Sequence, residues 1–353
     1  MLKPKNKGLF LDISEYAILA ARTSRLEPPF VIEAIGECPV DDSTQVEAFL
    51  ADFMGLKKGQ YAQAVCGVYP ATRFVRRATL EAPAKIKDAA FLKDFLDQQF
   101  RVDLSKSMVV MLNAADGCEI DFEKTIPKEV IFCGAEAQDM QAVQDFLVER
   151  TIYPVRLEIG SVATLGVSIR HAAGASISQP TLVLEITAKG AQVFIHNHKM
   201  LDVSRPIPHG FNSMYPVVQS ELGLKDEESA QKLFFSNTFD FTEMGPVLLK
   251  RLLKELQAST GFYEVQTGQT IGQLHLSVLP SNLAWIGQSL CRALGVDPLN
   301  LSYDQLLTAA GIETSDQVDV SELDSRWLGL FSLMGHNQGT TETKETGEKA
   351  DRK

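Results

Sequence analysis

Gly8-Leu-Phe-Leu-Asp-Ile-Ser-Glu-Tyr-Ala-Ile-Leu-Ala-Ala21 consists of two short apolar runs separated by the polar pair Ser14-Glu15. Runs of that length around a polar break read as strands joined by a tight turn, so the stretch predicts a β-hairpin with Asp12 just ahead of its turn. The arrangement returns at Thr181-Leu-Val-Leu-Glu-Ile186, with a turn through Thr187-Ala-Lys-Gly190 and a second run Ala191-Gln-Val-Phe-Ile195. Glu185 stands there in the place of Asp12. Two similar hairpins carrying an acidic residue at the same point are what an internal duplication of half-molecules leaves behind.

Working outward, Pro28-Pro29 ends the second run, Phe30–Ile35 supplies a third strand, and Asp41-Asp42-Ser43 caps a helix through about Met54. Strands near Ala62–Val68 and Phe74–Leu80 follow. Arg73, Arg76 and Arg77 beside the latter read as a solvated strand face, with contact to a partner as the alternative. From Lys85 the period changes: Phe91, Leu92, Phe95 and Leu96 recur at helical spacing, Met108–Leu112 and Val130–Cys133 read as strands, and Met140, Val143, Phe146 and Leu147 mark a second helix. Residues 85–150 thus form a helix-strand-strand-helix insertion in a first lobe made of 5–84 and 151–177. The second lobe, 178–335, continues through a strand at Lys199–Val203, an amphipathic helix around Leu249–Leu256, and the strand Gly272–Ser277. A turn at Pro280 leads to a helix Leu283–Leu294 that stops at Gly295. Residues 336–353 are polar and predicted to be disordered.

The 353 residues carry 34 Lys+Arg against 45 Asp+Glu, a formal charge of −11, with 45% hydrophobic residues. The composition is that of a soluble globular chain of about two domains, and the acidic balance argues against a nucleic-acid partner. Five cysteines, widely spaced and without a C-x-x-C pair, fit reduced thiols. The lysines at 3, 5 and 7 precede an apolar stretch too short for a signal sequence, and no stretch approaches the roughly 20 apolar residues of a spanning helix. These features predict a cytoplasmic protein that inserts in no membrane and reaches one only through a partner.

No phosphate loop, G-x-G-x-x-G, H-E-x-x-H, G-x-S-x-G or EF-hand loop occurs. His196 and His198 flank Asn197 at a turn, where alternate residues serve as solvent-facing polar positions, so no metal site is expected. The hairpins carry the chemistry instead. A carboxylate just before a strand-turn-strand can hold Mg²⁺ through water while turn N–H groups face phosphates.

At this point the order of Gly8-Leu-Phe-Leu-Asp-Ile-Ser14, Tyr153-Pro-Val-Arg-Leu-Glu-Ile159, Pro208-His-Gly-Phe-Asn212, Glu221-Leu-Gly-Leu-Lys-Asp-Glu-Glu228 and Leu252-Leu-Lys-Glu-Leu256 resembles the PilM family of actin-like type IV pilus assembly proteins. The resemblance spans roughly residues 5 to 335 and rests on the co-linear order, no single segment being diagnostic. It implies an α/β, actin-like, two-lobed fold with a small extra α/β subdomain inserted in the first lobe. It also implies ATP and Mg²⁺ in a cleft lined by Asp12, Ser14, Glu185, Thr187, Lys189, Gly210, Val278 and Leu279. A groove beside the extra subdomain, assigned to Phe74, Arg76, Phe91 and Phe95, would take the short cytoplasmic tail of PilN, a single-span inner-membrane protein.

The departures from the family pattern point away from nucleotide. Glu15-Tyr16 is bulky and acidic where phosphate would approach, Glu185-Ile-Thr187 replaces the usual Asp-Ile-Gly, and Val278-Leu279 stands where the adenosine motif has Gly-Gly. Three weakened elements predict a cleft that binds ATP poorly or not at all, no catalytic residue and no resident cofactor. The expected role is a cytoplasmic scaffold of a pilus-like assembly machine, held at the inner membrane by a PilN-like partner. Two alternatives remain open: an ATP- and Mg²⁺-binding switch or slow ATPase of the same machine, and a GspL-like component of type II secretion.

Overall fold

The computed structural model describes residues 7–335 apart from 41, 58, 59, 116 and 237. The expected disordered tail from about His336 lies outside these residues, as does Asp41 of the expected helix cap. The chain divides into two compact units, one formed by the segment up to Pro70, Asp139–Val167 and the segment from Ser302, the other by Ala71–Gln138 and Ser168–Leu301. Among the described residues, no helix is long and apolar enough to cross a membrane.

In the first unit, β1 (Gly8–Ile13), β2 (Ala17–Thr23), β3 (Val31–Pro39), β4 (Ala62–Val68), β8 (Ile152–Ile159) and β14 (Glu313–Thr314) form a sheet in the order β14-β3-β2-β1-β4-β8. The β1-β2 and β2-β3 pairs are antiparallel, and β1-β4 and β4-β8 are parallel. β1 is buried at every residue, which is why it reads as a continuous apolar run interrupted only by Asp12. One face carries the helix Ser43–Met54, started by Asp42, whose carboxylate accepts from Thr44 and Gln45 N–H, and stopped by Gly55 at φ 65. Its Val46 and Leu50 share a core with Leu9, Leu11 and Cys66. The helix Leu328–Gly335, apolar on all sides and buried up to Met334, packs against β1 and β4.

The second unit holds β9 (Thr181–Ile186), β10 (Ala191–His196), β11 (Leu201–Ile207), β12 (Gln273–Ser277) and β13 (Asp297–Pro298) in the order β11-β10-β9-β12-β13. Its two antiparallel pairs are followed by two parallel ones, the same succession as β3-β2-β1-β4-β8. The duplication inferred from the hairpins is therefore present as a repeated topology, and it places Asp12 and Glu185 at equivalent positions of β1 and β9.

The same unit contains a three-stranded antiparallel sheet, β5-β7-β6, of β5 (Phe74–Thr79), β6 (Ser107–Asn113) and β7 (Glu129–Glu136). The helix Ala89–Phe100 closes its core, in which Phe74, Leu96, Met111 and Phe132 meet. This sheet begins at Phe74, ahead of the change of period at Lys85, because Phe74–Thr79 is its edge strand, paired with Glu129–Gly134. The helix Ala137–Glu149 packs Val143, Phe146 and Leu147 into the core of the six-stranded sheet and takes no part in the small one. Helical periodicity identifies an apolar face but not the sheet that covers it.

Candidate functional site

In the first hairpin, Ser14 closes the turn. Its Oγ accepts from the N–H groups of Tyr16 (3.1 Å) and Ala17 (3.0 Å), and its own N–H donates to Ala17 O (3.0 Å). This side-chain turn explains why a serine follows the acidic strand end. Asp12 is 7% exposed and accepts from the Tyr69 hydroxyl at 3.2 Å. It lies against two glycines: a Cβ at Gly67, its neighbour on β4, would come within 2.9 Å of Oδ1, and one at Gly329 would overlap Oδ2. Both positions need glycine because the carboxylate fills the space a side chain would take.

In the second hairpin, Glu185 is fully buried on the central strand of its sheet and Arg73 faces it. Arg73 Nη2 and Nε donate to Glu185 Oε2 at 2.7 and 3.2 Å. A carboxylate removed from water is tolerated only with such a partner. Thr187 secures the turn: its N–H and Oγ1 both donate to Gly190 O at 2.9 Å, and Gly190 N–H donates to Thr187 Oγ1 at 3.3 Å. Phe211 and Asn212 N–H groups cover the turn from outside, donating to the carbonyls of Thr187 and Ala188. Gly210 permits this approach, since a Cβ there would overlap Thr187 O. Lys189 is exposed at the tip.

Beyond β12, Val278 and Leu279 are buried. Val278 has φ 60, a left-handed conformation costly for a β-branched residue, so the backbone keeps a shape that glycine favours although glycine is absent.

The basic cluster is not a solvated face. Arg73 is buried. Arg76 Nη1 donates to Val75 O (2.9 Å) and Ser204 Oγ (3.1 Å), and Arg77 pairs with Glu129 (2.8 Å) and Asp202 (3.6 Å). Burial lowers the Arg76 pKa. Glu185 for Arg73 and Ser204 for Arg76 lie over a hundred residues away in sequence, which no local pattern reveals. Gly67, Tyr69, Arg73 and Gly329 are the residues at the two acidic positions that sequence reasoning missed; only the charge of Arg73 was visible.

His196 also differs from the expectation. His198 is exposed, but His196 is buried, with Nε2 2.7 Å from Ser168 Oγ and Nδ1 3.0 Å from Asn197 O. Nδ1 must carry the proton to meet a carbonyl, leaving Nε2 to accept from the serine. Burial holds its pKa below the ordinary value. His275 on β12 is buried as well, neither ring nitrogen has a hydrogen-bond partner among the described residues, and burial pushes its pKa down to about 4. Among the described residues, no group of three or more His, Cys, Asp or Glu could hold a metal ion.

The residues assigned to partner contact separate. Phe74 is core, and Arg76 is turned to Ser204. Phe91 and Phe95 instead flank a groove of about 500 Å³ between the end of β5 and the helix Ala89–Phe100, with Arg77, Lys85 and Phe100 also on its walls. Phe91 is 36% exposed and stacks on Phe95 at 6.2 Å, and the Lys85 ammonium lies 6.0 Å from the Phe91 ring centre.

Two sheets of repeated topology, each with an acidic residue before its first turn, define a duplicated α/β protein of actin-like fold. The structure is similar to a chain of the PilM-PilN type IV pilus biogenesis complex, with a TM-score of 0.67 at 14% identity over 95% of this chain and 99% of that one. Weaker likenesses are to a Bacteroides thetaiotaomicron VPI-5482 protein with an actin-like ATPase fold (TM-score 0.42, 11% identity, 88% and 99% of the chains) and to the cytoplasmic domain of EpsL, an inner membrane component of the Vibrio cholerae type II secretion system (0.41, 9%, 94% and 94%). No model of a known protein family and no curated protein matches the sequence.

Proposed function

We propose that the chain is an adaptor of a pilus-type assembly machine that receives the short cytoplasmic tail of a PilN-like inner-membrane protein and works at the cytoplasmic face of that membrane without nucleotide chemistry. The observation that carries this reading is the full-length likeness to a chain of the PilM-PilN complex. The groove beside Phe91 and Phe95 supplies a seat. Leu80 N–H donates to Lys128 O on the β7 side, so by antiparallel alternation Arg77 and Thr79 turn their main-chain groups to the outer edge of β5, along the groove. An extended tail would pair with that edge and lay an apolar side chain against the two rings.

The Glu185 position does not fit a phosphate-bound Mg²⁺. A guanidinium stands against Glu185, and the turn N–H groups of Ser14, Tyr16, Ala17, Thr187 and Gly190 are spent within their own turns. Phosphate binding of the kind expected for this fold needs those donors turned outward.

The test is fluorescence anisotropy with a labelled peptide of the PilN-like tail. Binding should weaken about tenfold or more in Phe91→Ser, a change at a partly exposed wall that spares the core. Affinity no better than for a scrambled peptide would overturn the reading. A melting-temperature rise with millimolar ATP and Mg²⁺, lost in Asp12→Ala, would favour the nucleotide switch instead.

A further inference from the structure

Asp12 and Glu185 occupy equivalent places in the two sheets, and the second has a cation built in. Arg73 Nη2 lies 2.7 Å from Glu185 Oε2, with the two side chains 3% and 0% exposed. A guanidinium keeps its charge under all ordinary conditions and is weakly hydrated, which suits it to a buried pair. Mg²⁺ surrenders its waters reluctantly, and at Oε2 it would meet the space that Arg73 fills.

Arg73 is also the residue immediately before β5, and the next two arginines reach β11. Arg76 donates to Ser204 Oγ, Ser204 Oγ donates to Val75 O, and Arg77 pairs with Asp202, which in turn accepts from Tyr263 Oη (2.9 Å) and Asn197 Nδ2 (2.8 Å). The near end of the small sheet is thus anchored at successive points on the five-stranded sheet.

We propose that Arg73 is the resident counter-ion of the Glu185 position, closing it to divalent cations and fixing the three-stranded sheet to the five-stranded one with no bound ligand. The inference goes beyond the adaptor role and does not rest on it: the peptide can fail to bind while Arg73 acts as stated, because the test reads metal and backbone exchange.

The experiment uses the full chain and Mn²⁺ as the probe. Hydrogen exchange across Phe74–Thr79 is measured in the unsubstituted protein with and without millimolar Mn²⁺, and free Mn²⁺ is followed by electron paramagnetic resonance in Arg73→Gln and in Arg73→Gln with Glu185→Gln. Exchange in β5 should be unchanged by Mn²⁺. Arg73→Gln should exchange there about tenfold faster or more and take up one Mn²⁺ per chain that the double variant does not. Faster β5 exchange in the unsubstituted protein on adding Mn²⁺ would overturn the proposal, as would a folded Arg73→Gln with no more Mn²⁺ uptake than the double variant. If Arg73→Gln does not fold, the exchange measurement on the unsubstituted protein decides alone.

Discussion

Replacing His275 by leucine should remove an acid-sensitive element from the second unit. His275 is buried in β12 with both ring nitrogens unpartnered among the described residues, and burial, helped by the neighbouring His196, sets its pKa at about 4 against an ordinary 6.5. Between those values the unfolded chain binds a proton that the folded chain refuses, so stability falls as pH drops through the window and is fully present above it. With one proton at stake across the window from the ordinary value to about 4, the loss is on the order of 1 kcal/mol by pH 5.5 and about 3–4 kcal/mol once the window is crossed. Leucine carries no proton in either state and fills similar space, so at pH 7.5 the variant should lie within about 1.5 kcal/mol of the original. Urea unfolding of both proteins, followed by circular dichroism from pH 7.5 to 4.5, isolates the effect, because the carboxylates common to both cancel in the difference. The variant should gain about 2–3 kcal/mol relative to the original over that range. Parallel curves would refute the reasoning, since they would mean that His275 binds protons equally well folded and unfolded.

Three further outcomes follow from the packing. Arg73→Met should cost about 3–5 kcal/mol in chemical denaturation, and adding Glu185→Leu should recover most of it, because the damage lies in the charge left behind. Gly329→Ala should destabilise by about 1–3 kcal/mol through overlap with Asp12, whereas Gly261→Ala, in the helix Lys250–Thr267 with nothing within 4 Å of a new Cβ, should be neutral or stabilise by up to about 1 kcal/mol. Thiol titration at pH 8 should modify exposed Cys118 first, while Cys66 and Cys133, buried and pushed up to about 12, should react only on unfolding; early reaction of either would contradict the burial described.

Local chemistry was legible wherever neighbours in sequence decide the structure. The apolar runs around Ser14 and Thr187 are hairpins, Asp42 starts its helix, and the helix Trp285–Leu294 stops at Gly295 with φ 68, all set by side chains within a few residues of the backbone they serve. The repeated placement of Asp12 and Glu185 was visible for the same reason, and with it the duplicated architecture. What those carboxylates touch was not. Glu185 meets an arginine far back in the chain, Asp12 meets Gly329 near the other end, His196 turns inward to Ser168, and Phe146 serves the large sheet instead of the small one. Period and composition record which residues leave water, while the partner that makes burial of a charge tolerable is chosen by distance in space, and only the folded chain sets that distance.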